Sequence, residues 1–195
     1  PLEWLSFAGI PKATGVINAN VNVSGLAQNP EVKLLVTGNQ LRYQHPRLHE
    51  LSDGTLHFQS SYQDEKLTST IKVGGLFQDP IQSTTKIPMN LSLQPFDFRL
   101  YRNHPIQATL QASANLSRLP PILHLEGQKI TGLLKTDLQL AGTINNPQPT
   151  GNIQIENGSY VHMEQGVVLK KINMKVNAAG KNHFVIEDLS INDGG

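Results

Sequence analysis

The chain has 195 residues, 16 Lys and Arg against 15 Asp and Glu, a formal net charge of +1 and no cysteine. That composition excludes disulfides, a thiolate nucleophile and a Cys-ligated zinc, and it offers no electrostatic basis for holding nucleic acid. Charged residues make up 16% of the chain, below the quarter or so of an ordinary soluble domain, so Asn, Gln, Ser and Thr carry most of the polarity.

Taken in chain order, the apolar residues repeat every second position. Ile17, Ala19, Val21 and Val23 alternate with Asn18, Asn20, Asn22 and Ser24. Leu67, Ser69, Ile71 and Val73 do the same, followed by Ile87, Met89, Leu91 and Leu93. After Pro95 the pattern resumes with Phe96, Phe98 and Leu100. Ile106 to Leu116 is a long alternating run, broken by Ser117-Arg-Leu-Pro-Pro121, where a short helix or turn is expected. Leu134, Thr136, Leu138 and Leu140 follow, then Ile153-Gln-Ile155 and Ile172-Asn-Met174-Lys-Val176. Period-2 alternation is the signature of strands with one apolar and one wet face. About twelve strands are expected in all, with no amphipathic helix of useful length; only a weak helical signal lies near Trp4-Leu5. Asn157-Gly158, Asp53-Gly54 and Gly74-Gly75 read as tight turns.

One phrase recurs three times: Val21-Asn-Val-Ser-Gly25-Leu-Ala-Gln-Asn-Pro30, Ile71-Lys-Val-Gly-Gly75-Leu-Phe-Gln-Asp-Pro80 and Leu138-Gln-Leu-Ala-Gly142-Thr-Ile-Asn-Asn-Pro147. A strand end, a Gly free to take positive φ, and Asn or Asp before Pro make a strand-and-turn unit. The first and third copies match further, pairing Gly15 with Gly132 and Tyr43 with Tyr160. The unequal spacing argues for a sheet of similar hairpins with variable loops rather than for a regular solenoid. The chain is read as one β-repeat segment, 1–195, with approximate units 10–60, 61–125 and 126–195. Neither Pro1-Leu-Glu-Trp4 nor Asn192-Asp-Gly-Gly195 looks like a natural terminus, so an excised piece of a longer protein is expected.

Nothing here reads as catalytic. No Gly-x-Ser-x-Gly, P-loop or dinucleotide fingerprint occurs. The acid pairs Asp64-Glu65 and Glu187-Asp188 are adjacent, which on a strand sends the two carboxylates to opposite faces. His45, His49, His57, His104, His124, His162 and His183 lack metal-ligand spacing and read as surface and loop residues. Pro11, Pro30, Pro80, Pro88, Pro95, Pro120, Pro121 and Pro147 fall at strand ends, where turn chemistry accounts for them. Neither cofactor nor metal is implied. So many one-sided strands with so little helix leave three closures open: a sandwich, a barrel or a curled sheet with an apolar trough. Periodicity does not choose among them, and a closed sandwich is the default.

The stretch Leu138 to Tyr160, with its continuation Gly166-Val-Val-Leu-Lys-Lys-Ile172-Asn-Met-Lys-Val176, resembles the repeated phrase of the TamB-like proteins (DUF490, AsmA-like) of Gram-negative envelopes. The likeness is sharp over about 130–195 and looser over 10–80; Ile106 to Pro121 resembles that family's spacer. The resemblance implies an all-β, extended and curled antiparallel or mixed sheet, the β-taco, with an apolar concave face and very little helix. It also implies a periplasmic protein anchored in the inner membrane, phospholipid acyl chains as cargo and an Omp85-type outer-membrane partner. The groove would be lined by Val21, Val23, Ile71, Val73, Leu91, Leu93, Phe96, Phe98, Leu110, Leu138, Leu140, Ile153, Ile155, Ile172, Met174 and Val176. The same residues would fill the core of a closed domain. A scaffold that holds the strands of outer-membrane clients is the competing function, and a filled β-repeat adhesin a third.

Overall fold

The structure, a computed structural model, describes residues 13–43, 53–75, 79–118, 127–181 and 183–193. Nearly all of them are strand: β1 (Ala13–Leu26), β2 (Asn29–Tyr43), β3 (Gly54–Gln63), β4 (Lys66–Gly74), β5 (Ile81–Leu93), β6 (Phe96–Leu100), β7 (Gln107–Asn115), β8 (Gln128–Gly142), β9 (Pro147–His162), β10 (Val167–Ala179) and β11 (Phe184–Asp193). Among the described residues one 3₁₀ turn, Leu116–Arg118, sits at the break expected after β7. The strands form one antiparallel sheet in the order β1-β2-β3-β4-β5-β7-β8-β9-β10-β11, with β6 pairing β5 beside that path. The sheet does not close on itself. The default of a closed sandwich is therefore overturned, and of the two sheet directions left open, antiparallel is the one found.

Each recurring phrase is a hairpin: β1 into β2, β4 into β5, and β8 into β9. Its glycine takes the left-handed backbone that the phrase predicts, with φ of +82° at Gly25, +82° at Gly75 and +85° at Gly142. A Cβ at Gly142 would lie 2.4 Å from the Asn146 carbonyl oxygen, and one at Gly25 would lie 3.0 Å from that of Asn29. In both turns the glycine thus makes room for the carbonyl of the Asn that precedes Pro.

The first and third phrases belong to a larger repeat. Gly15 (φ +136°) and Gly132 (φ +121°) are 117 positions apart (132 − 15), as are Gln40 (φ +52°) and Asn157 (φ +50°). The β1–β2 register slips between Thr14 and Val16, and the β8–β9 register slips at the matching place, between Thr131 and Leu133. Val21 opposes Leu34 as Leu138 opposes Gly151. The hairpin β1–β2 thus recurs as β8–β9, followed in each case by a further antiparallel hairpin. Asn157-Gly158 is consequently not the tight turn that its sequence suggests. It lies inside β9 as a bulge, its Asn157 N–H bonded to Asn173 Oδ1 at 2.9 Å. Strands on both sides hold the chain extended there, and the local turn preference survives only as the positive φ. Asp64 and Glu65, with φ of +50° and +54°, are instead the two-residue turn joining β3 to β4.

Little of the sheet is buried. Among the described residues the buried apolar side chains are Tyr62, Met89, Ile106, Ala114, Leu116 and Ala178, together with Pro30. Tyr62, Met89 and Pro30 mark one local core, made because β5 outruns β4. Past Pro88, which opposes Lys66, β5 turns across the sheet's end. Met89 N–H donates to the Glu65 carbonyl (2.9 Å), Leu91 N–H to the Tyr62 hydroxyl (2.9 Å) and Leu93 N–H to the Ala27 carbonyl (2.7 Å). Ion pairs such as Lys135–Glu156 (2.9 Å) and Lys175–Glu187 (2.7 Å) are surface contacts of small individual value.

Gly142→Ala combines a positive φ with a backbone collision and is expected to cost roughly 2 kcal/mol or more. Gly166→Ala, at φ +66° with nothing within 4 Å of its Cβ, should cost only about 1 kcal/mol; urea denaturation of both variants checks the ranking. Tyr62→Phe removes the acceptor of the Leu91 N–H and should destabilise by about 1–3 kcal/mol, with faster amide exchange confined to residues 89–100. The Arg42 guanidinium bonds the Asp53 carboxylate, through Nη2 at 3.1 Å and through Nε, and holds that carboxyl below the usual range. A depressed folded-state pKa stabilises above the unfolded carboxylate pKa, and this contribution is lost as pH falls through the folded value. Asp53→Asn should therefore be slightly less stable than the wild type at neutral pH and show a flatter acid limb, the two curves converging once pH falls below the folded-state value of Asp53.

Candidate functional site

Residues directly opposed in a ladder project to the same side of a sheet, so the register can be followed as rows across the strands. One row runs Ala19, Val36, Phe58, Ile71, Ser83, Leu110, Leu138, Gly151, Ala178, Phe184, crossing ten strands. The next row on the same side runs Val21, Leu34, Ser60, Ser69, Thr85, Ala108, Leu140, Pro149. Flanking these on that side are Val23, Val32, Tyr62, Leu67 and Ile87 at one end of the sheet, and Thr136, Ile153, Val176 and Ile186 at the other. None of these rows contains a charged residue.

The row between the first two, on the opposite side, runs Asn20, Leu35, Gln59, Thr70, Thr84, Thr109, Gln139, Thr150, Ala179. Its neighbour runs Asn18, Thr37, His57, Lys72, Gln82, Gln111, Asp137, Asn152, Asn177, Val185. Glu187 also belongs to this side, bonding Lys175 Nζ at 2.7 Å and the Asn177 amide. The expectation that Glu187 and Asp188 face opposite ways fails because the β10–β11 register slips between them: Asp188 opposes Lys175 while Ile186 opposes Val176.

Of the sixteen residues expected in a groove, eleven fall in the uncharged rows or their continuations: Val21, Val23, Ile71, Val73, Leu110, Leu138, Leu140, Ile153, Ile155, Met174 and Val176. Ile172 sits between two register slips in β10. Leu91, Leu93, Phe96 and Phe98 are on the β5–β6 hairpin past the point where β5 leaves β4, paired 91 to 98 and 93 to 96. None of the sixteen is buried, and Val21 (61% exposed) and Phe96 (75%) are largely open to water. They are therefore not the core of a closed domain. The sequence reading missed Val36, Phe58 and Phe184 in the long row. Phe58 does stand between polar residues, His57 and Gln59, so a short signal was present there, whereas Phe184 is followed by the apolar Val185 and Ile186 and shows no such alternation. His57 and His162 lie on β3 and β9 rather than in loops, while His45, His49, His124, Pro11, Pro120, Pro121 and the Trp4-Leu5 signal lie outside the described residues.

Among the described residues no group of three or more His, Asp and Glu is placed to hold a metal ion, and no helix is long and apolar enough to cross a membrane. A depression of about 260 Å³ lined by Lys66, Lys86, Pro88, Pro105 and Gln107 contains two cations and neither an acid nor a nucleophile. No family model, curated protein or solved structure matches the chain.

If the rows share a side as the register dictates, charge placement on the two sides should have opposite consequences. Leu138→Asp should reduce binding of an apolar dye severalfold and Gln139→Asp should leave it unchanged, with both variants retaining the strand signal in circular dichroism.

Proposed function

We propose that this chain holds phospholipid acyl chains along the uncharged side of its open sheet, in the manner of the TamB-like envelope proteins whose repeated phrase it resembles. The observation that carries this reading is the set of aligned, uncharged rows. Ten strands at about 4.8 Å spacing span roughly 43 Å, and the rows cover about 20 Å of each strand, or roughly 900 Å². A typical monomer exposes an apolar patch of about 300–600 Å². Leaving such an area wet is unfavourable by about 25 cal/mol per Å² of apolar surface, which supplies the drive for hydrocarbon to cover it. Curling of the sheet about that side makes a trough, with acyl chains inside and head groups in water.

Binding of this kind is passive. Dispersion and desolvation hold the chains, and net movement needs an external source of free energy. In this reading the protein works in the Gram-negative periplasm, tied to the inner membrane in its full length, with an Omp85-type outer-membrane protein as its expected partner. A second reading, a scaffold for client β-strands, is favoured by one observation: among the described strands β1 and β11 pair on one side only, and an unpaired strand edge can accept another strand.

Native mass spectrometry of the purified chain, followed by lipid extraction, tests the first reading. Co-purified phospholipid that is lost in Leu138→Asp and kept in Gln139→Asp supports it. A stable, monodisperse chain free of lipid overturns it and leaves the scaffold reading, in which binding depends on backbone at the β1 or β11 edge.

A further inference from the structure

The uncharged side is not uniformly apolar. Where its second row crosses β3, β4 and β5 it carries three hydroxyl residues in succession, Ser60, Ser69 and Thr85, with Ser83 two residues along from Thr85 on the same strand. Ser60 is buried, 8% exposed, and its Oγ lies 2.8 Å from Ser69 Oγ. One hydroxyl of that pair donates to the other, which leaves one proton free to donate outward. The hydroxyls of Thr85 and Ser83 have no protein partner among the described residues.

The architecture does not require these hydroxyls. In the repeat, Leu34, Ser60 and Ser69 stand to one another as Gly151, Ala178 and Phe184 do, and the second set carries no polar side chain. Their worth to stability is small: an opposed, hydrogen-bonded hydroxyl pair contributes only modestly over Ala–Ala, and a buried hydroxyl pair gains little over two apolar groups of the same shape. On either side of the hydroxyls the rows return to Phe58 and Ile71, and to Tyr62 and Leu67, so a short polar step lies between two apolar stretches.

We propose that Ser60, Ser69 and Thr85, with Ser83 beside them, form the subsite that takes the ester carbonyls of a diacyl lipid. This rests on the acyl-chain reading above. The donors are neutral and the rows around them hold no Lys or Arg. A phosphate or free carboxylate would lie there as an uncompensated charge, whereas a neutral carbonyl oxygen needs only the O–H donors present. The ester linkage is also the one polar point between a lipid's chains and its head group, so fixing it sets the depth at which the molecule sits.

The test uses the delipidated chain and two phosphatidylglycerol probes of equal chain length, one with diester and one with diether linkages, competed in native mass spectrometry. The wild type is expected to favour the diester by about tenfold, the equivalent of one net hydrogen bond. Ser60→Ala/Ser69→Ala/Thr85→Val keeps the side-chain shapes and should bring diester binding down to the diether level while leaving diether binding unchanged. Thr85→Val alone, which leaves the buried Ser pair intact, should show part of that loss, and Ser61→Ala/Thr70→Val on the other side none. Equal wild-type binding of the two probes, or a preference that survives the triple variant, overturns the subsite and leaves the acyl-chain reading standing. Binding of neither probe overturns both.

Discussion

Register is the constraint on which the rest of this structure depends. A strand's side chains alternate between two sides, so a slip of one residue anywhere along the ladder would interchange the two sets for every strand beyond it. Here the alternation is kept in phase from Ala19 on β1 to Phe184 on β11. Most globular domains enforce such phase by burying one side in a core. Among the described residues few side chains are buried, so backbone pairing and cross-strand neighbours do that work.

The bulges show how the phase survives irregularity. A bulge inserts one residue on one strand, and unless its extra residue is absorbed locally the two sides exchange. Gly15 with Gln40, and Gly132 with Asn157, absorb it by positive φ at the same place in each repeat. A Cβ at Gly15 would lie 2.8 Å from the Gln40 carbonyl oxygen, and one at Gly132 would lie 2.7 Å from the Gly158 Cα, so backbone approaches backbone closely at both sites. Between β10 and β11 the slip at Glu187 serves a different purpose, placing two consecutive acids beside Lys175 and Asn177 on the polar side.

Much of this was legible in the sequence, for a physical reason. Alternation and the Gly-to-Asn-Pro phrase are local, and local signals are what a strand and its turn consist of. The phrase glycines have the backbone that was inferred, and most of the residues assigned to one side align there. The failures come from longer range. Asn157-Gly158 reads as a turn until β8 and β10 are known to flank it. The path of β5 across the end of the sheet depends on a hydroxyl at Tyr62, 29 residues from its Leu91 partner, and no window of sequence contains both. β11 was not singled out because its alternation changes phase at Glu187. Ser69 stands in the alternating set with Leu67, Ile71 and Val73, but nothing local to β3 marks Ser60 as its partner, and only the β3–β4 register brings the two hydroxyls together.

Apart from the hairpin β5–β6, each strand touches little beyond the one before it and the one after it. Cohesion in such an assembly is a sum of nearest-neighbour terms, closer to a one-dimensional chain of linked units than to a droplet with a centre. Loss of order then starts at β1 or β11 and travels inward like a zipper, without the all-or-none collapse of a globule. The same arithmetic governs evolution and engineering: a unit whose bulge and register match its neighbour's can be added or removed whole, lengthening the sheet without disturbing the side on which any residue stands.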